Sequence, residues 1–537
     1  MQNIINFIQI GEFSNLIFYY IAIYMIIDIL ESFYNNFMNY YSTRFSMKFI
    51  LNLSTKIFYK ASKLSLTDYE NSKTYDLINR AQFEGGDKLL QFFSAIISIF
   101  QNIITLLSYL FILFYFRIWI VLVVLIVPII NYKVSNYFNL KRFKVLRERT
   151  NDSRKSWYLS YILTYGSFYK ELRTFNLFGY FIDRYKSYIK RFNKKDLSIY
   201  KNQMFIYCFV SLFENVLDGL LFLYIIILGI SKVILIGNVI TYTRTIISSK
   251  SLIGSIFSGV SSLINESLFI NQLFEFLNLE EENRGEVSIS RINSIVINNL
   301  SYRYRASDDY VLKDISFSIK DNEKIALLGV NGSGKTTLIK LIMGFYNDYE
   351  GSILINGVEV RDINKSDLLN QISTLFQDFV KYEASFRENI GYGNLDLLYN
   401  DNFLEEVSKK FGVYNLVSSY NERFEKQLGL WFDSGVDLSI GQWQKIALCR
   451  AFYKNSSLYI LDEPNASMDS ITEYDISLLY KELLKDSMGI IIAHKFNNIV
   501  KMVDKIIVLD NGKIIECGTN DELIYSNGIY KKMYDLR

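Results

Sequence analysis

Apolar runs long enough to cross a bilayer, roughly 20 residues each, fall only in the first half of the chain. The clear ones centre on Leu16–Leu30, Leu89–Phe116, Ile118–Ile130 and Met204–Ile230. A fifth, Gly237–Ile264, is weaker and carries Ser, Thr, Arg244 and Lys250, as a helix facing a watery pathway would. It is counted as inserted. The long polar stretches between runs are rich in helix-forming residues, so the spanning helices are expected to continue past the membrane and meet in pairs through turns. Beyond about residue 265 the pattern changes. The acidic stretch Glu280–Arg291 reads as a linker, and short strands then alternate with helices. Ser294–Tyr304, Leu312–Lys320 and Lys324–Gly329 predict strands and Lys335–Phe345 a helix. Leu458–Leu461, Gly489–Ala493 and Lys505–Leu509 are the unbroken apolar runs of buried parallel strands. The pattern thus divides the chain into a membrane domain (1–279), a linker (280–292) and an α/β domain (293–537).

Charge adds an orientation. Residues 42–88 hold Arg44, Lys48, Lys56, Lys60, Lys63, Lys73, Arg80 and Lys88, and residues 133–201 are more basic still. The short links near Arg117 and Lys232 hold one basic residue each, and residues 1–13 hold none. Cytoplasmic loops carry the excess of Lys and Arg, so both long loops are expected inside, and the links and N-terminus outside. With 50% apolar and 21% charged residues, the composition fits a part-membrane protein. A net charge of +3 gives no field that would argue for nucleic acid. Cys208, Cys449 and Cys517 stand far apart and read as reduced thiols. The N-terminus lacks the basic region and small-residue cleavage site of a secretory signal.

The chemistry lies in the second half. Gly329-Val-Asn331-Gly332-Ser333-Gly334-Lys335-Thr336-Thr337 fits the P-loop pattern between a strand and a helix. Its glycines let backbone N–H groups curl round phosphates at the positive end of a helix dipole. Lys335 would pair with the β- and γ-phosphates, and Thr336 would ligate Mg²⁺. Leu458–Leu461 runs into Asp462-Glu463-Pro464, placing Asp462 beside the metal and Glu463 beside the attacking water as candidate general base. His494 is the only histidine; its place after the strand Gly489–Ala493 supports a γ-phosphate contact over a structural role.

On these motifs the chain resembles the half-size exporters of the ABC transporter superfamily. Leu438-Ser439-Ile440-Gly441-Gln442 resembles that family's signature motif. Gln377 matches its Q-loop, a catalytic and metal-contacting position. Tyr304 matches the aromatic that stacks on adenine, and Ala466-Ser467-Met468-Asp469 the D-loop, where Asp469 would signal across a dimer. The implied fold is a polytopic α-helical transmembrane domain, five spans recognisable, joined to an α/β P-loop NTPase domain with an antiparallel β subdomain. The resemblance further implies a cell-membrane protein, its ATP-binding domain cytoplasmic, in which two halves face head to tail and ATP·Mg²⁺ lies between one P-loop and the other chain's Ser439, Gly441 and Gln442. A homodimer is expected before a heterodimer, with membrane lipid around it. The cytoplasmic turns near Asp68–Ala81 and Tyr165–Leu177 would be coupling helices. Trp431-Phe-Asp-Ser-Gly-Val-Asp-Leu438 and Gly441-Gln-Trp-Gln-Lys445 look most like exporters of bacteriocin- or lantibiotic-type peptides. A peptide is therefore the expected cargo, a lipophilic drug or lipid the second choice, and a membrane-tethered ATPase switch without transport the rival.

Two departures carry expectations. The family has six spans per half and five are recognisable, the first being absent or lost to a late start. Ile440 stands where the signature has glycine; forcing a β-branched residue into left-handed backbone costs about 1–2 kcal/mol, so Ile440→Gly is expected to speed hydrolysis. Within the membrane, Glu214 and Asp218 lie one turn apart, with Arg244 and Lys250 as expected partners or, alternatively, as an acidic patch for a cationic cargo.

Overall fold

The computed structural model describes residues 2–10, 15–283, 285–305, 307–463, 478–480, 484–493, 500, 503–526 and 528–535. The chain forms two compact units, Met1–Ser62 with Ser72–Leu279, and Lys63–Asn71 with Glu280–Arg537.

The first unit is helical: α1 (Gln2–Ile10), α2 (Asn15–Ala61), α4 (Ser72–Phe116), α5 (Ile118–Glu148), α6 (Thr150–Thr164), α7 (Tyr169–Thr174), α8 (Phe178–Ile230) and α9 (Ile236–Leu277), with α3 (Leu66–Glu70) in the second unit. Five helices, α2, α4, α5, α8 and α9, are long and apolar enough to cross a membrane, matching the five apolar runs. They also continue far beyond those runs. The 53 residues of α8 extend about 80 Å at the usual rise, more than twice the roughly 30 Å thickness of a hydrocarbon core. Leu113, Ile120, Val124, Leu221, Ile225, Ile246 and Ile253 form the buried core where α4, α5, α8 and α9 meet. Large apolar side chains such as Phe18, Ile27 and Phe33 on α2 stay exposed, a surface that suits lipid and not water. The N-terminal α1 docks at the start of α9, where Asn6 Nδ2 donates to Asn238 Oδ1 (3.0 Å) and the Ile236 N–H to Gln9 Oε1 (2.7 Å).

The turn expected near Asp68–Ala81 is shorter than the sequence suggested. Ser65 caps α3 in a reciprocal capping box with Asp68, and Ser72–Ala81 already belongs to α4; its polar residues decorate a continuing helix. The second turn, Tyr165–Leu177, holds a 3₁₀ turn (Gly166–Phe168) and then α7.

The second unit contains β1 (Ser294–Tyr302), β2 (Leu312–Lys320), β3 (Lys324–Gly329), α10 (Lys335–Ile342), β4 (Glu350–Ile355), β5 (Val358–Glu359), α11 (Lys365–Asn370), β6 (Ile372–Leu375), α12 (Phe386–Gly391), α13 (Asp401–Lys410), α14 (Tyr414–Ser418), α15 (Ile440–Tyr453), β7 (Leu458–Asp462), β8 (Met488–Ile492), β9 (Lys505–Asp510), β10 (Lys513–Gly518), α16 (Asn520–Tyr525) and α17 (Ile529–Asp535). An antiparallel sheet runs in the order β2-β1-β4-β5, and a six-stranded sheet in the order β10-β9-β3-β8-β7-β6. The latter is parallel except for β10 at its edge. Every residue of β7 and β8 is buried, which is why those strands read as unbroken apolar runs. Helix α10 ends before Phe345 because Gly344 takes left-handed backbone (φ 68°). There the Phe345 N–H reaches Lys340 O and the Gly344 N–H reaches Leu341 O, both at 2.9 Å, which closes the helix C-terminus. The acidic stretch before β1 is pinned to this unit: the Val287 N–H donates to Asp362 O (2.9 Å), and the Ile292 N–H to Ser457 Oγ (3.0 Å).

Candidate nucleotide site

The site is built at the C-terminal ends of β3 and β7, where parallel strands of an α/β sheet deliver ligand groups. After β3 the chain must turn sharply into α10. Gly329 (φ 152°) and Gly334 (φ 102°) adopt backbone that side chains disfavour. A Cβ on Gly329 would lie 2.2 Å from Leu509 O, and one on Gly334 2.6 Å from Leu312 Cδ2. Only glycine lets the loop, with Asn331, Gly332 and Ser333 between, fold onto the α10 N-terminus. The unsatisfied N–H groups there favour an anion.

Lys335 is buried and folds back on this loop, Nζ donating to Gly329 O (2.8 Å) and Val330 O (3.1 Å). Burial holds its ammonium below the usual lysine range, against the pull of Asp462 and Glu463. An ammonium held by two loop carbonyls can exchange them for phosphate oxygens without leaving the loop.

Three elements converge on the ends of α10 and β7. Thr336 Oγ1 donates to Asp462 Oδ2 (3.2 Å), and Gln377, in the segment after β6, donates through Nε2 to Glu463 Oε2 (3.1 Å). Asp462 is 4% exposed. Burial pushes its carboxyl up to about 6, with Glu463 adding to the shift and the Thr336 hydroxyl and Lys335 opposing it. A hydroxyl, a buried carboxylate short of positive charge, and an amide oxygen are the hard donors that suit Mg²⁺.

Glu463 holds left-handed backbone (φ 49°), a conformation that costs a non-glycine residue about 1–2 kcal/mol. Two bonds fix it there: its N–H donates to Ile492 O (3.1 Å), and Gln444 Nε2 donates to its carbonyl (3.2 Å). Sequence reading had missed Gln444. The available signal was a polar residue amid the apolar positions Trp443, Ile446 and Ala447, since such a buried amide needs a partner.

Tyr304 Oη shares a 2.9 Å hydrogen bond with Thr337 Oγ1, and its ring stands edge-on to Tyr302 and Tyr346. The ring also lines a cavity of about 470 Å³ beside Arg303 and Tyr310. Ser439 caps α15 in a reciprocal box with Gln442, and Gly441 lies in the first turn. Among the described residues, no hydrogen bond joins this first turn to the P-loop of the same chain. Asp469 and His494, with Pro464 and Ala466–Met468, lie outside the described residues.

A family model described as ABC transporter matches residues 312–466. The subtilin transport ATP-binding protein SpaT of Bacillus subtilis is 37% identical over 509 residues, covering 94% of this chain and 83% of that protein. The chain belongs to the ABC transporter family. The nisin transport ATP-binding protein NisT of Lactococcus lactis subsp. lactis is 32% identical over 519 residues, covering 96% and 86%. The solved structure of a bacterial Atm1-family ABC exporter with ATP bound superposes with a TM-score of 0.77 at 18% identity, over 99% of this chain and 93% of that one. That likeness establishes the exporter fold. The protein is thus an ABC-type half-transporter whose ATP hydrolysis drives export, in the cell membrane, with its ATP-binding unit cytoplasmic; halves of this kind dimerise.

In this exporter the strain expected at Ile440 is absent. Ile440 is the first residue of α15 and has none of the left-handed backbone seen at Glu463. Its side chain is 59% exposed. The first helical position accepts ordinary φ, so glycine brings no relief there. Ile440→Gly should leave hydrolysis by the reconstituted protein level, or lower it by up to about twofold through a looser first turn. A fivefold rise would restore the strain argument.

Proposed function

We propose that the chain is one half of a homodimeric exporter of lantibiotic-type peptides, embedded in membrane lipid and powered by ATP·Mg²⁺. The observation that carries the cargo is similarity along nearly the whole chain, membrane unit included, to the subtilin and nisin transport proteins. A shared motor alone would leave cargo open.

The residues act as follows in this reading. The N–H groups of Gly329–Thr337, with Asn331, Gly332, Ser333 and Gly334 in the turn, cradle the phosphates, and Lys335 neutralises their charge. Tyr304 packs against adenine, and Thr336, Asp462 and Gln377 hold Mg²⁺, which supplies charge stabilisation when bound. Glu463 accepts the proton of the attacking water, oriented by Gln377. Ser439, Gly441 and Gln442 serve the nucleotide of the partner copy. His494 contacts the γ-phosphate, and Asp469 signals between the copies.

The test is uptake into inside-out proteoliposomes holding the purified chain alone. A labelled lantibiotic precursor should accumulate only with ATP and Mg²⁺. Accumulation of a lipophilic dye but not the peptide would replace the cargo. Hydrolysis without accumulation of either would favour the switch, and uptake only after a second half-transporter is added would end the homodimer.

A further inference from the structure

Within the helical unit, α5, α8 and α9 line an open cavity of about 420 Å³ that no part of the ATP chemistry uses. Glu214 and Asp218 from α8 and Lys250 from α9 face it. The Lys250 side chain is only 8% exposed; it bonds Asp218 and lies 3.8 Å from Glu214 Oε1. The second expected partner, Arg244, is exposed and makes no ion pair among the described residues. Two carboxylates thus share one ammonium, Asp218 tightly and Glu214 beyond hydrogen-bond reach. A residual negative charge at membrane depth is costly unless it finds a counter-charge. A plain helix staple would need only one carboxylate.

The rest of the cavity wall suits an organic cation. Tyr132 and Phe257 stack at 4.3 Å on one side, offering an apolar surface for a methylene stem. The space beside Gly254 is open, since a Cβ there would meet nothing within 4 Å.

We propose that this cavity is a cargo subsite for one primary ammonium, a lysine side chain or N-terminal amine. Glu214 is its docking carboxylate, while Lys250 occupies Asp218. This rests on the peptide-export reading and adds the chemical feature of the peptide that is read. The neighbouring ammonium of Lys250 sets the limit to one added charge, since a second cation would meet its repulsion.

The probe is dansylcadaverine, one primary ammonium on an apolar fluorophore, titrated against the full chain in lipid nanodiscs beside its N-acetylated, uncharged form. The amine should bind at least about tenfold more tightly than the acetylated form, the scale of a charge-assisted hydrogen bond. Glu214→Gln keeps the Lys250–Asp218 pair, so the bundle should stay folded. It should cost the amine about tenfold and leave the acetylated form unchanged. Gly254→Leu keeps all three charges and fills the space, so it should exclude both probes. Equal binding of the two probes, or amine binding indifferent to Glu214→Gln in a variant that elutes and melts like wild type, overturns the subsite and leaves a structural staple. Proteoliposome uptake separates the two readings. Peptide uptake insensitive to Glu214→Gln sinks the subsite alone, whereas charge-selective amine binding without peptide uptake sinks the peptide cargo alone.

Discussion

Glu463→Gln should lower ATP turnover at least about a hundredfold, the contribution of a positioned general base, while ATP affinity stays within about twofold. The two effects separate because the groups are separate. In the proposed reading Lys335 and the glycine turn on β3 and α10 cradle the phosphates, whereas Glu463 stands past the end of β7. The amide is isosteric, so it can still accept the bond from Gln377 Nε2, and it keeps the Ile492 and Gln444 bonds that hold the left-handed backbone. It loses only the ability to take a proton. Turnover and nucleotide binding by the purified protein, measured side by side, check this; turnover above about a tenth of wild type would assign the base to another group. The strain at Glu463 persists because its surroundings fix it, as backbone outliers at functional sites generally require.

Much of this machinery was legible because its parts are neighbours in sequence. The glycine pattern before Lys335 and the apolar strand before Asp462 each encode their own local structure. Spans were legible for the same reason, since a bilayer imposes a length on a single helix. What escaped was tertiary. Nothing near residue 444 reveals that its amide will reach the carbonyl of Glu463, 19 residues on. The choice of Lys250 over Arg244 as partner of Asp218 depends on which face of α9 turns to α8, and a helix with apolar and small residues on every side does not declare that face. Ile440 misled because the motif suggested glycine for its backbone freedom, while the structure places the residue in an ordinary first turn.

Asp462→Asn should do two opposite things, stabilise the nucleotide-free protein and abolish its Mg²⁺-dependent turnover. The carboxyl lies about 6 when folded against an ordinary value of 3.8, chiefly through burial. An acid whose folded value is raised binds its proton more tightly in the native state. Its favourable contribution is complete below 3.8 and disappears as pH rises through about 6. At pH 7.5 the folded protein therefore carries an ionised, buried carboxylate, at a cost of about 3 kcal/mol or somewhat less. Asparagine is neutral and can still accept the Thr336 hydroxyl, so it removes that cost. The melting temperature should rise by roughly 5 °C at pH 7.5 and by about half as much at pH 5, where the wild-type carboxyl is protonated when folded but still ionised when unfolded. The same substitution removes the charge that suits the cation, so turnover should fall at least about a hundredfold, while ATP binding in the presence of a chelator survives. Thermal melts of both proteins at the two pH values, with turnover assayed alongside, decide the matter. Equal melting at pH 7.5 would mean that Asp462 is already compensated in the free protein. Higher melting with turnover intact would mean that its carboxylate does not hold the metal. The expected combination is a group kept at a loss to the resting fold because the charge that destabilises it alone is the charge proposed to recruit the metal.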